Sequence, residues 1–167
     1  VFNEIAPFDG QKRSFFANSG TEANEAAIKL ARYTTKRYGI IAFLGSFHGR
    51  TMGSLSLTSS RAIQRKGFGP PLAGAYHAPY ANCYRCPVGR LPDTCQAECL
   101  DFVEDQLLVH LVSPDEVAAV MVESIQGEGG YVVPAPQFHH RLRELTSKHG
   151  ILLICDEVQS GMGRTGK

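Results

Sequence analysis

Neither sign of charge is in excess in this chain, where 17 Lys and Arg stand against 16 Asp and Glu for a formal net charge of +1. The balance removes the basic surface that proteins use to wrap a phosphate backbone or coat an anionic membrane, so neither is an expected partner. No apolar run approaches the roughly 20 residues of a membrane span, and no basic stretch followed by an apolar one opens the chain. The chain therefore reads as soluble and cytoplasmic. Repeats and low-complexity segments are absent, and no initiator Met precedes Val1-Phe2-Asn3. The last residues, Arg164-Thr165-Gly166-Lys167, follow a motif directly, and the expectation is an internal piece of a longer protein. An even set of cysteines is also missing: the five present, without a secretion signal, argue against a disulfide framework.

What is present suffices for one core, with 43% hydrophobic residues in a length of 167. Ser14-Phe15-Phe16-Ala17 reads as a short strand, followed by a tight turn and a helix running from Thr21 to about Tyr38, stopped by Gly39. Ile40–Leu44, Val117–Val122 and Ile151–Cys155 are continuous apolar runs suited to buried strands, with Cys155 as a small buried hydrophobe. Segments 98–111 and 138–149 read as helices, and 66–92 as an irregular excursion. Strands alternating with helices imply an α/β fold with a mostly parallel sheet flanked by helices. Ligands in such sheets sit beyond the carboxyl ends of the strands.

Four polar motifs fall at those ends. Asn18-Ser19-Gly20-Thr21-Glu22-Ala23-Asn24-Glu25 opens a helix; it fits a phosphate cradle built on free backbone N–H groups, and equally simple N-capping by Ser19 or Thr21. Phe47-His48-Gly49-Arg50-Thr51 offers a ring for stacking and a guanidinium for a carboxylate, or a packed aromatic beside a solvated arginine. Asp156 ends an apolar strand, where a buried carboxylate needs a cationic partner or good hydrogen bonds. Glu123 and Glu128 flank Gln126-Gly127 in a glycine loop, placed to tune a charged substrate or to be solvated. Separately, Cys83-x2-Cys86 and Cys95-x3-Cys99 have spacings that can serve a metal ion or cluster, or can be four free thiols.

Taken in order, Ser19 to Ala26, Phe47 to Thr51, Glu123 to Gly130 and Asp156 to Gly166 resemble the class III (ω-amino acid) aminotransferases that use pyridoxal 5'-phosphate (PLP). The resemblance implies the type I PLP-enzyme fold, with residues 1–167 forming the central part of the PLP-binding large domain. It implies that Gly20 and Thr21 bind the cofactor phosphate, that Phe47 stacks on the ring with Val158 on the opposite face, and that Gln159 reaches the phenolic oxygen. Asp156 would pair with the ring nitrogen as the catalytic residue of the chain, and His48 belongs to the same cofactor set. Arg50, Glu123 and Glu128 would serve the substrate. Ser124 stands where many members have proline. The lysine that joins PLP covalently belongs on a later strand in the family, so no lysine here matches it, and Lys167 is not that residue.

Within the family the pattern looks most like 4-aminobutyrate aminotransferases acting with a 2-oxo acid acceptor, 2-oxoglutarate, including the loop Asn82-Cys83-Tyr84-Arg85-Cys86-Pro87 that some members carry. Ornithine and acetylornithine aminotransferases are close, as are PLP-dependent amino-acid racemases, and a homodimer is the expected assembly. A reading from another class is a non-catalytic structural or metal-binding module built on the four cysteines. The piece alone is expected to be inactive.

Overall fold

Four strands pair into one all-parallel sheet in the computed structural model, which describes residues 2–6 and 9–166; Lys167 lies outside them. The strands are β1 (Gly39–Phe43), β2 (Ala75–Ala78), β3 (Val117–Glu123) and β4 (Leu152–Asp156), in the order β2-β1-β3-β4. Side chains alternate across a strand, so each central strand feeds two cores. Ile41, Phe43, Val120 and Val122 point to one face, while Ile40, Ala42, Ala119 and Met121 point to the other.

The helices after a four-residue N-terminal turn, α1 (Phe2–Ile5), are α2 (Gly20–Thr35), α3 (Met52–Leu57) and α4 (Pro136–Lys148). Ile28 and Ala31 of α2 and Leu57 of α3 cover one face of the sheet. Phe138, Leu142 and Leu145 of α4 cover the other, where the rings of Phe43, Tyr80 and Phe138 meet edge-on at centroid distances of 5.1–5.8 Å. Each fully buried aliphatic or aromatic side chain of this kind stabilises the fold by about 1.5–3 kcal/mol.

Several expectations are corrected. Ser14–Ala17 is not a strand: Phe15 and Phe16 are 78% and 73% exposed, and no strand of the described residues pairs with them. The helix after it ends at Thr35, where Lys36 takes the left-handed conformation and returns its N–H to Arg32. Gly39 instead opens β1, where a Cβ would come within 3.1 Å of the Glu116 carbonyl. Inside the irregular excursion, Ala75–Ala78 forms β2 and pairs with β1.

Segment 98–111 is a 3-10 turn followed by a π-helix, Phe102–Leu111, closed by the Val112 N–H on the Leu107 carbonyl. Its buried set of Val103, Leu107, Leu108 and Val112 recurs more slowly than the 3.6 residues of an α-turn, which the wider winding accommodates. Finally, β4 is an edge strand with Leu152 and Cys155 exposed, so Cys155 is not the buried hydrophobe expected.

Candidate active site

At the carboxyl rim of the sheet, β3 and β4 run in register so that Glu123 lies beside Asp156. The N-terminus of α2 and the loop after β1 close over them, leaving a cavity of about 330 Å³. Gly20, Thr21, Phe47, His48, Arg50, Glu123, Asp156, Val158 and Gln159 all line it. Glu128 does not; it stands exposed in the turn at Gly127–Gly130.

Asp156 is 6% exposed and its carboxylate accepts three hydrogen bonds from the protein. Oδ2 accepts from Asn24 Nδ2 and from His48 Nδ1, each at 2.8 Å, and Oδ1 accepts the Val158 N–H at 3.1 Å. Because the carboxylate can only accept, His48 carries its proton on Nδ1. Its Nε2 is buried with no hydrogen-bond partner among the described residues. Burial acts to raise the Asp156 carboxyl, but the His48 hydrogen bond and charge, the Val158 amide and Asn24 together outweigh it and hold the group below its ordinary range. The chain thus keeps a buried anion at the cavity wall.

Glu123, 3% exposed, lines the cavity and also ties its loops together. Its Oε1 accepts the Phe47 N–H at 2.7 Å and its Oε2 accepts the Gly127 N–H at 3.0 Å, so the side chain pins two loops to the end of β3. Burial pushes its carboxyl up, offset in part by these two amides, with Asp156 pushing the same way as burial. Thr58 stiffens the same loop by accepting the His48 N–H and donating to the Gly49 carbonyl, both at 2.9 Å. Gly49 sits at φ +125°, with Thr21 and Ser54 filling the space a Cβ would need.

At the start of α2 the hydroxyl protons can be counted. Thr51 donates its hydroxyl to Glu25 at 2.5 Å, so at the 2.8 Å contact between the two threonines Thr21 must be the donor. The Thr21 hydroxyl proton is therefore spent within the protein. What the helix offers a ligand is backbone N–H at its first turn, where amides have no intrahelical acceptor, while Ser19 caps Glu22. Gly20 lets the chain approach closely, since a Cβ there would meet Val158 Cγ2 at 2.6 Å.

On the open side, the Arg50 guanidinium lies 6.0 Å from the Phe47 ring centroid and has no carboxylate partner among the described residues. Gln159 borders both this cavity and a neighbouring recess of about 550 Å³ that also meets Tyr131, Val133 and Arg164. The sequence reading assigned no role to Asn24, Glu25 or Thr51. The signal was available: Thr21, Asn24 and Glu25 fall at i, i+3 and i+4 and so share one helix face.

The cysteines do not assemble comparably. Cys83 and Cys86 are half-buried, Cys95 and Cys99 are buried, and all are free thiols. Among the described residues no three His, Cys, Asp or Glu side chains are grouped to hold a metal ion. Two of the sulfurs accept backbone amides instead, Cys86 from Arg90 and Cys95 from Ala97. The Cys99 thiol is pushed up to about 11, chiefly by burial and then by neighbouring thiols.

Residues 1–167 match the family model "Aminotransferase class-III". The chain belongs to the class III aminotransferase family. It is 41% identical to the alanine/serine racemase of Pyrococcus horikoshii, over 98% of this chain and 35% of that protein. It is 39% identical to the 4-aminobutyrate aminotransferase GabT of Escherichia coli, over 99% of this chain and 37% of that one. Among solved structures, the ω-transaminase of Pseudomonas jessenii in complex with PMP superposes with a TM-score of 0.89 at 30% identity, covering 99% of this chain and 37% of the other. The class III chain thus spans about a third of the length of such relatives, and its four-stranded sheet is part of the type I fold they share.

Proposed function

We propose that the protein containing this chain is a PLP-dependent aminotransferase, working as a cytoplasmic homodimer, that moves the amino group of 4-aminobutyrate to a 2-oxo acid, 2-oxoglutarate. In it, residues 1–167 form the central part of the cofactor-binding large domain. The observation that carries this is Asp156: a buried carboxylate kept ionised at the wall of a cavity that also presents an aromatic ring and a helix N-terminus. A buried anion of this kind favours a cationic ligand, and a protonated pyridine nitrogen is one. The residues present fit PLP. The first amides of α2 suit its phosphate, Phe47 and Val158 suit the two faces of its ring, and Gln159, which makes no hydrogen bond among the described residues, suits its phenolic oxygen. When bound, PLP supplies the electron sink that stabilises charge at the donor carbon.

The chain's own residues then bind and orient. Asp156 keeps the ring nitrogen protonated, Glu123 fixes the Phe47 loop, and Arg50 holds the substrate carboxylate in the charge-assisted fork that guanidinium makes. Glu128, outside the cavity, would act by pairing with an arginine elsewhere in the protein, opening or closing the site to a second carboxylate. Racemisation is the second reading, favoured by the 41% identity to the alanine/serine racemase. The test is the visible absorption of the full-length protein before and after 4-aminobutyrate. A PLP band that disappears on adding the donor supports the proposal. A PLP band that ignores it redirects the substrate to ornithine, acetylornithine or a racemised amino acid, and no PLP band supports a structural module instead.

A further inference from the structure

Asn24 is 6% exposed and lies one helical turn inside α2. Its Nδ2 donates to the His48 carbonyl and to Asp156 Oδ2, both at 2.8 Å. Both partners can only accept, so the amide has one admissible orientation; turned over, its oxygen would face a carbonyl and a carboxylate. One side chain therefore joins the helix carrying Gly20 and Thr21, the loop carrying Phe47 and Arg50, and the end of β4.

A carboxylate oxygen offers about two acceptor directions. Oδ2 of Asp156 uses both, on Asn24 and His48, while Oδ1 accepts only Val158 N–H and keeps one. We propose that Asn24 is a positioning residue that saturates Oδ2 of Asp156, leaving Oδ1 as the single atom through which the carboxylate meets a cationic ring nitrogen in the cavity. This rests on the PLP reading above. Because the same amide holds the His48 backbone, the carboxylate and the aromatic loop are set relative to each other by one group, and both are set relative to the helix N-terminus.

The test uses the full-length apo-protein titrated with PLP, for wild type, Asn24→Leu and Asn24→Asp, with melting temperatures recorded alongside. Asn24→Leu keeps the volume and removes both donors; PLP binding weakens by about 10-fold, equally at every pH, as expected for one lost hydrogen bond to a charged group. Asn24→Asp places a second carboxylate against Asp156, with His48 and Glu123 the other titratable groups at this wall. Binding then weakens by about 100-fold at pH 8 and recovers towards the Asn24→Leu level or better as acid lets the two carboxylates share a proton. A merely structural asparagine gives lowered melting temperatures with unchanged PLP binding, or losses identical in both variants across pH; either result overturns the proposal. If wild type itself binds no PLP, the cofactor reading fails first and the positioning role falls with it.

Discussion

Two sets of side chains in this chain are equally rich in ligand chemistry, and among the described residues only one of them converges on a cavity. Asp156, Glu123, His48 and Asn24 come from four elements and converge at the ends of β3, β4 and the loop after β1. Cys83, Cys86, Cys95 and Cys99 lie within one irregular stretch, yet no three of them group as ligands. The difference is anchoring. A parallel sheet delivers side chains to its carboxyl rim at fixed register, and buried acids there must be satisfied by whatever loops pass over them. The cysteine stretch is built of 3-10 turns in which the thiols of Cys86 and Cys95 are met by local amides.

The largest expected effect falls on the rim. In the full-length protein Asp156→Ala leaves His48 Nδ1–H and one N–H of the Asn24 amide buried without an acceptor, destabilising the fold by about 3–5 kcal/mol. Urea unfolding checks this, and a change under 1 kcal/mol would dissolve the contrast drawn above. The core beneath the site comes next: Phe138→Ala removes the ring shared with Phe43 and Tyr80 and costs about 3–5 kcal/mol by the same measurement, without changing the pH dependence of stability.

Acidity separates the two rim carboxylates. Asp156 is held below its ordinary 3.8, so its contribution to stability is complete above that pH and disappears as pH falls through the folded-state value. Glu123 is raised, so its ionisation acts in the opposite sense and opposes folding as pH rises through the usual carboxylate range. Asp156→Asn should therefore flatten the acid-side loss of stability, whereas Glu123→Gln should flatten the loss on the way up from acid while keeping the Phe47 loop less tightly pinned. Unfolding midpoints followed from pH 3 to pH 7 distinguish them. The smallest effect belongs to the other segment: Cys83→Ser and Cys86→Ser together shift stability by no more than about 0.5 kcal/mol. Elemental analysis of the full-length protein finds no stoichiometric zinc or iron, and an equimolar metal would break the comparison.

Much of the fold could be read because β1, β3 and β4 are apolar runs long enough to declare themselves, with helices of clear period between them. β2 could not, since Ala75-Tyr76-His77-Ala78 has no apolar run and owes its strand to pairing with β1. Ser14–Ala17 misled for the converse reason: an apolar composition with no neighbouring strand among the described residues to accept it. At the site, the residues named from the four motifs line one cavity except Glu128. What stayed hidden was the wiring, because Asn24 meets Asp156 across 132 positions and Glu123 meets Phe47 across 76. Hydrogen bonds of that span follow from topology and leave no local pattern.

The central claim is that Asp156 stands ready to hold a protonated ring nitrogen, and nitrogen-15 NMR of the full-length protein loaded with ring-labelled PLP tests it most directly. A shift characteristic of a protonated pyridine near neutral pH, moving to the unprotonated position in Asp156→Asn, is the predicted result. An unprotonated nitrogen in the wild type, or one that Asp156→Asn leaves unchanged, would contradict the account.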